Sequence, residues 1–320
     1  MTDLSIVYVN WNSLDYLRKS IASVYEHTHD ISFEIIVVDN ASPETGVESL
    51  KELFAGINII KSSKNLGFAR ANNLGFKVST GTYVLLLNPD TLLIESSLDV
   101  MLKHIQLLPD AGIVGCKLLN SDRSVQLTSI QKFPNILNQV VDAEYMLLRW
   151  PRFPLWNIGP LFCSDVKLTK AEVISGACML LRHEVFEKVG MFSEDYFMYA
   201  EDLDLNYKVR KAGFTNYYVG ETAIIHHGGR SSSRQQVSQW ATIMKYKAML
   251  TYFRKTRGRS YELLYRASIG IVALCRLLLL ALAFPIGDRL FRKDSLHVAS
   301  KKWRAVLAWA VGFSRIAANS

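Results

Sequence analysis

Four short apolar runs, LSIVYVN (4–10), FEIIVVDN (33–40), INIIK (57–61) and YVLLLN (83–88), recur through the first ninety residues. Continuous, rich in β-branched side chains and mostly stopped by Asn or Asp, they predict strands covered on both faces. Between them the period changes. SLDYLRKSIASVYEH (13–27) spaces its apolar residues at three and four behind a serine placed to cap a helix, and GVESLKELF (46–54) reads as a second helix. A β-α-β-α-β alternation of this kind predicts an α/β fold, a mostly parallel sheet flanked by helices.

The pattern loosens in the middle. DVMLKHIQLLPDAGIVG (99–115) predicts a helix stopped at Pro109 and then a strand, whereas YMLLRWPRFPLWNIGPLF (145–162) is aromatic, punctuated by proline and loop-like. It reads either as a mobile segment beside a site or as packing against neighbouring helices. Order returns with VISGACMLLRHEVFEKVGMF (173–192), a strand and then a helix ending at Gly190. EDLDLNYKVRKAGF (201–214) predicts a helix closed by Gly213, YYVGETAIIHH (217–227) a strand, and GGRSSSRQQ (228–236) a loop.

An apolar share of 49% over 320 residues fills a sizeable core and excludes a disordered chain. Cys116, Cys163, Cys178 and Cys275 are scattered without metal-ligand spacing, which suits small buried hydrophobes in a reducing compartment. MTDLSIVYVNWN lacks the basic and apolar regions of a signal peptide, so the main domain is expected in the cytoplasm. Charge divides the chain more sharply. Residues 234–320 hold sixteen Lys and Arg against three acids, a balance of +13, and the net +8 therefore leaves −5 for residues 1–233. Two domains, 1–233 and 234–320, are expected, the second with an affinity for an anionic surface, nucleic acid or lipid.

In a parallel sheet of this type ligands collect beyond the carboxyl ends of the strands, where Asn10, Asp39 and Asp90 all fall. Asp90 in NPDT is either a turn residue or a ligand for a hard divalent cation, which favours carboxylate oxygens and shares its other positions with a diphosphate. Glu201 and Asp202 open a predicted helix, where acids complement the helix dipole. Behind the aromatic run YFMYA they are also placed to supply a general base at the rim of a partly apolar pocket. His226 and His227 end a strand before Gly-Gly, and either one offers an imidazole to the Asp90 site. Arg70, Arg230 and Arg234 suit phosphate geometry. The loop from Gly228 reads as a lid or as a plain linker.

Taken together, SIVYVNWNSLDYLRKSI, EIIVVDNAS, NLGFARANNLGF, YVLLLNPDT, SGACMLLRHEVFEKVGMF, YFMYAEDLDLNYKVRKAGF and IIHHGGRSS, in order over about residues 1–235, resemble glycosyltransferase family 2, most closely its bacterial rhamnosyltransferase-like branch. The resemblance implies a GT-A fold, a nucleotide-diphosphate-sugar donor, a divalent metal (Mg or Mn) and inversion at the anomeric carbon. It places Val9, Asn10 and Asp39 at the nucleoside, and Asn65, Gly67, Arg70 and Asn73 along the nucleotide and diphosphate. Ser175 and Gly176 would border the sugar, and Arg230 would contact phosphate. NPD stands where the family has DxD, so Asp90 corresponds to its last acid, and Asn88 leaves the site one negative charge short. Asp202 corresponds to the base, with Glu201 in support, and the HxxGxS pattern from His226 through Gly229 to Ser231 selects His226 as the metal-side histidine.

The segment SIGIVALCRLLLLALAFPI (268–286) is nearly long enough to span a bilayer, yet Arg276 sits midway. A charge there costs about 2.5–3.5 kcal/mol. Basic and apolar residues interleave on either side, so an in-plane helix pair on an anionic membrane is expected, with a helical dimerisation module as the competing reading. With the family resemblance, this points to one-sugar transfer onto a polyprenyl-linked glycan acceptor at the cytoplasmic face, without nucleic acid as partner. A metal-dependent nucleotidyltransferase and a non-catalytic sugar-binding protein are the alternatives. The first lacks a Lys- and Gly-rich triphosphate loop near VNWNSLDY, and the second leaves Asp202 without a purpose.

Overall fold

The apolar runs become strands with both faces covered. β1 (Leu4–Asn10), β2 (Phe33–Asp39), β3 (Ile57–Lys61) and β4 (Tyr83–Leu87) lie parallel in the order β3-β2-β1-β4. Successive side chains alternate between two cores. Ile6, Tyr8, Ile35, Val37, Leu85 and Leu87 join Leu17 and Ile21 of the helix Leu14–His27 and Met101 and Ile105 of the helix Ser97–Leu107. Val7, Ile36, Val84 and Leu86 face the other way, with Phe76 of the helix Phe68–Phe76 and Leu205 and Val209 of the helix Glu201–Lys211. Truncating any one of these leucines to alanine costs about 2–5 kcal/mol.

In the computed structural model the described residues are 2–141, 166–228, 239–283 and 293–313. They fall into two compact units, one of residues 2–133, 166–197 and 201–228, the other of 134–141, 198–200, 239–283 and 293–313. Beyond β4 the sheet of the first unit is mixed. β5 (Thr91–Leu93), β6 (Ala111–Leu119), β8 (Leu168–Ala171), β10 (Cys178–Arg182) and β11 (Thr215–His226) continue it, while β7 (Ile130–Gln131) and β9 (Val173–Ile174) form a separate ribbon. β6 and β11 are parallel, but β10 runs antiparallel between β4 and β6, and β5 and β8 run antiparallel to β11. The expected mostly parallel sheet is thus parallel over β3-β2-β1-β4 and β6-β11 and antiparallel at β10, β5 and β8, because side-chain alternation sets which face is buried and not the direction of the neighbouring strand.

In the second unit the helices Gln239–Arg257, Arg259–Ala283 and Lys293–Ala310 follow one another. Gly258, at φ 86°, ends the first of them and donates its N–H to the Arg254 carbonyl. Tyr252, Phe253, Tyr265, Ile269, Ala273, Val306 and Trp309 are among the unit's buried residues, and the Arg266 guanidinium closes the last helix by bonding the carbonyls of Trp309 and Ala310. Cys116 and Cys178 are buried as expected, whereas Cys275 is exposed on the apolar helix.

Candidate active site

The carboxyl ends of β1 and β2 are polar and tightly tied. Asn10 and Asp39 are register partners, both buried, and Asn10 Nδ2 donates to Asp39 Oδ1 at 2.9 Å. Ser13, expected as a helix cap, makes no cap bond and donates its hydroxyl to Asn10 Oδ1 instead. Immediately beyond, Asn12 and Ala41 both take φ 56°. Such left-handed backbone costs a non-glycine residue about 1–3 kcal/mol and is concentrated at functional sites. Val9 puts its side chain against Val38 and Ala71, so only its backbone remains at the strand end.

Asn40 links this end to the loop before the helix Phe68–Phe76. Its carboxamide accepts from Leu66 N at 2.8 Å and donates to Asn65 Oδ1 at 3.0 Å, which in turn accepts from Gly67 N at 2.9 Å. Gly67 sits at φ 77°, and a Cβ there would lie 2.3 Å from the Phe197 carbonyl oxygen, so only glycine fits. Arg70 is half exposed and paired with Glu194 at 3.5 Å. Asn73 is turned inward. Its amide donates to Phe192 O and accepts from Phe192 N, which ties the helix to the segment before YFMYA and leaves its polar atoms engaged away from the crevice.

NPDT is a β-turn. Pro89 presets the backbone at its second position, and Thr91 N–H and hydroxyl both donate to the Asn88 carbonyl. The chain then enters β5, whose antiparallel register sets Thr91 opposite His226 on β11. That pairing brings His226 Nε2 to 3.3 Å from both Asp90 Oδ1 and Asn88 Nδ2. The imidazole is oriented from behind. Gln126 Oε1 accepts from Nδ1 at 3.0 Å while its amide nitrogen donates to the His226 carbonyl, leaving Nε2 to face Asp90. His227 points elsewhere, with its Nδ1 at 2.8 Å from the Ser121 hydroxyl and its ring 5.5 Å from Tyr16.

Among the described residues no three His, Cys, Asp or Glu side chains converge on a metal site. The set at the turn is two such groups and an amide, and Asn88 Oδ1 is buried with no hydrogen-bond partner. An orphaned carbonyl oxygen beside a carboxylate and an imidazole nitrogen turned toward it fits a hard divalent cation that keeps its remaining positions for water and phosphate oxygens.

Glu201 and Asp202 begin their helix directly after Tyr199 and Ala200, at φ 71° and 62°. Their environments differ. Asp202 Oδ1 accepts from Leu203 N at 2.8 Å and Oδ2 from Gly176 N at 3.1 Å. Glu201 is buried, and its Oε2 has no partner. Burial raises both carboxyls, and the charge of Asp202 pushes Glu201 further, up to about 8, whereas the two N–H groups partly restore the ionised form of Asp202. Asp202 therefore ionises first and Glu201 holds its proton near neutrality. The turn Ser175–Ala177 joins this carboxylate to the other cluster, because the Ala177 carbonyl accepts from Asn88 N at 3.0 Å.

Gly229, Arg230, Ser231 and Arg234 lie outside the described residues, as do Cys163 and the aromatic segment 145–162. A cleft of about 510 Å³ between Thr80 and Glu184 lies at the opposite end of β4 and contains none of the residues above. Gln126 is the contributor that sequence reasoning missed. It stands in SVQLTS with no motif around it and acts only through the backbone and ring of a residue 100 positions away.

Residues 5–190 match the family model "Glycosyl transferase family 2". The N-acetylglucosaminyl-diphospho-decaprenol L-rhamnosyltransferase of Mycobacterium tuberculosis (strain ATCC 25618 / H37Rv) is 28% identical over 257 residues, 75% of this chain and 81% of that protein. Rhamnosyltransferase WbbL of Escherichia coli (strain K12) is 27% identical over 229 residues, covering 69% and 82%. In fold the chain is similar to the mannosyltransferase PcManGT from Pyrobaculum calidifontis, solved in complex with GDP-Man and Mn2+, at a TM-score of 0.58 and 16% identity over 98% of this chain and 89% of that one. It is likewise similar to GalNAc-T7 with UDP, GalNAc and Mn2+, at a TM-score of 0.54 and 14% identity over 71% and 44%. A GT-A-type fold, the strand-end crevice and the match over more than half the chain make this protein a member of glycosyltransferase family 2, in its rhamnosyltransferase-like branch.

Proposed function

We propose that the protein is an inverting glycosyltransferase that moves one sugar, rhamnose from dTDP-rhamnose in the favoured case, to a hydroxyl of a polyprenyl-linked glycan in cell-surface polysaccharide synthesis. One observation supports it above the others. A single turn, Ser175–Ala177, holds the Asp202 carboxylate on one side and the Asn88 backbone of the Asp90–His226 cluster on the other. Inverting transfer requires this separation, with charge neutralised on the leaving group and a base on the opposite face of the sugar.

In this reading Asn10 and Asp39 meet the nucleoside, and Asn65, Gly67 and Arg70 line the nucleotide. Arg230 contacts phosphate, and Ser175 and Gly176 border the sugar. Asn88, Asp90 and His226 would hold a divalent cation, which neutralises charge on the departing diphosphate when bound. Asp202, whose two N–H donors favour its ionised form, accepts the proton of the attacking hydroxyl. Glu201, protonated beside it, adds no second negative charge.

The second unit supports a membrane location. The stretch Arg259–Leu282 has a mean hydropathy of 1.9 over its most apolar window, and Leu264, Ile271, Leu274, Leu278 and Leu282 are exposed, the last by 71%. The helix Lys293–Ala310 packs along it, with Trp303 under the Arg276 guanidinium at 5.8 Å and the Ala310 and Trp309 carbonyls on Arg266. Were the apolar helix to cross a bilayer, its neighbour would take Lys301, Lys302 and Arg304 with it, at about 2.5–3.5 kcal/mol each at the centre. Lying in the interface avoids that cost and sets those cations near lipid headgroups. The cytoplasmic face of an anionic membrane fits both features.

A donor screen with membrane fractions as acceptor, with Mg2+ or Mn2+ present or chelated, tests the proposal. Chelator-sensitive transfer of a single sugar from dTDP-rhamnose is expected. Transfer from no nucleotide sugar, with release of pyrophosphate from a nucleoside triphosphate instead, would favour a nucleotidyltransferase.

A further inference from the structure

Asn206 lies inside the first unit at 0% exposure, one helical turn after Asp202, and every polar atom of its side chain is used. Its Oδ1 accepts from Ile174 N at 2.9 Å and its Nδ2 donates to Ile174 O at 2.9 Å, so the carboxamide pairs with that residue as a neighbouring strand would. Nδ2 also donates to the Asp202 carbonyl at 2.7 Å. Asn216 on β11, equally buried, donates to Asn206 Oδ1 at 2.9 Å and to Glu172 O at 3.0 Å. An amide this fully engaged fixes the relative position of the two segments it joins.

Those segments meet again at the crevice. From Ile174 the chain passes through Ser175 to Gly176, whose N–H reaches Asp202 Oδ2. A Cβ on Gly176 would lie 3.2 Å from Asp202 Cβ, so backbone and carboxylate are already in close contact. The next carbonyl, Ala177, holds Asn88. A closed circuit results, running from Asn206 to Ile174, Gly176, the Asp202 carboxylate and back along one helical turn. We propose that Asn206 is a positioning residue for sugar transfer, holding the Ser175–Ala177 turn at the one distance from the helix that aims the Asp202 carboxylate and aligns it with the Asn88–Asp90 side.

The inference rests on the transfer reading above. A misplacement of the base by about 1 Å costs about 100-fold in rate, while the nucleoside contacts at Asn10 and Asp39, made elsewhere, are untouched. Asn206→Ala is therefore expected to lower kcat by about 10- to 100-fold while leaving the affinity for dTDP near that of the parent. Asn206→Ser, whose hydroxyl can still bond the Asp202 carbonyl but cannot pair with Ile174, is expected to lose the same activity from a more stable protein.

Asn216→Ala is the structural control. It removes a bond from the same buried cluster but leaves the Ile174 pair intact, and it is expected to lower the melting temperature while keeping kcat near the parent value. Losses of kcat that simply follow melting temperature across the three variants would overturn the proposal, as would failure of both Asn206 variants to fold. Asp202→Asn, assayed alongside, separates the two readings. Activity in that variant would remove the base itself, whereas an inactive Asp202→Asn with a fully active Asn206→Ala would remove only the positioning role.

Discussion

Replacing Glu201 by glutamine tests the electrostatics of the acid pair directly. Its carboxyl is buried, one oxygen has no partner, and its pKa is pushed up from 4.5 to about 8 by burial and then by the Asp202 charge. In the unfolded chain the same group ionises near its ordinary value. Between pH 4.5 and 8 the unfolded state therefore sheds a proton that the folded state keeps, and stability falls as pH rises through that window. At 1.36 kcal/mol per pH unit the full loss is about 5 kcal/mol, of which about 3 kcal/mol is reached by pH 7. Glutamine carries no charge in either state and escapes the effect. Urea unfolding of both proteins from pH 4.5 to 9 should show the variant gaining on the parent steadily up to pH 8 and then levelling. In thermal unfolding at pH 7 the gain amounts to about 6–12 °C for a unit of this size. A difference that stays flat across this range would refute the argument that Glu201 is held protonated. Because Asp202, and not Glu201, is the proposed base, the variant should also retain measurable transfer.

Two further outcomes follow from particular contacts. Gln126→Leu removes the acceptor that orients His226, and the apparent affinity for Mn2+ in a transfer assay should drop about 10- to 100-fold, with turnover largely restored at saturating metal. An unchanged metal dependence would contradict the placement of His226 in a cation site. On vesicles containing anionic lipid, Lys301→Gln with Lys302→Gln should weaken binding about 30-fold, from about 1 kcal/mol per charge. Leu274→Glu with Leu278→Glu should abolish binding to anionic and neutral vesicles alike, and retention by the latter pair would remove the apolar ridge from the membrane contact.

The parts of the fold legible in the sequence are those where one periodicity decides the outcome. LSIVYVN, FEIIVVD and YVLLL are apolar on both faces through their centres because helices cover both faces of those strands, and alternation between the two cores follows at once. Strand direction leaves no such trace, and nothing in CMLLR marks the antiparallel insertion of β10 between β4 and β6. Helix starts were only partly readable. Ser13 looks like a cap, but its side chain turns to donate to Asn10 Oδ1 and its oxygen receives no backbone N–H of the helix. At the site, Asp90 and His226 stood out because a turn and a strand end expose polar atoms. Asparagines proved ambiguous, since a carboxamide that suits a nucleotide suits a backbone equally well. Asn73 spends its amide on Phe192, and Asn206, inside a run of helix-forming residues, pairs with Ile174 on both sides. Such pairings exist only once the chain has folded, and no spacing announces them.

Asp202 is the group on which the division between base and leaving-group sides depends. Its conversion to asparagine preserves shape and volume while removing the proton acceptor, so dTDP affinity by calorimetry should match the parent and kcat for transfer from dTDP-rhamnose should fall by about 100- to 10,000-fold. Turnover within a few-fold of the parent, with nucleotide affinity intact, would contradict the account.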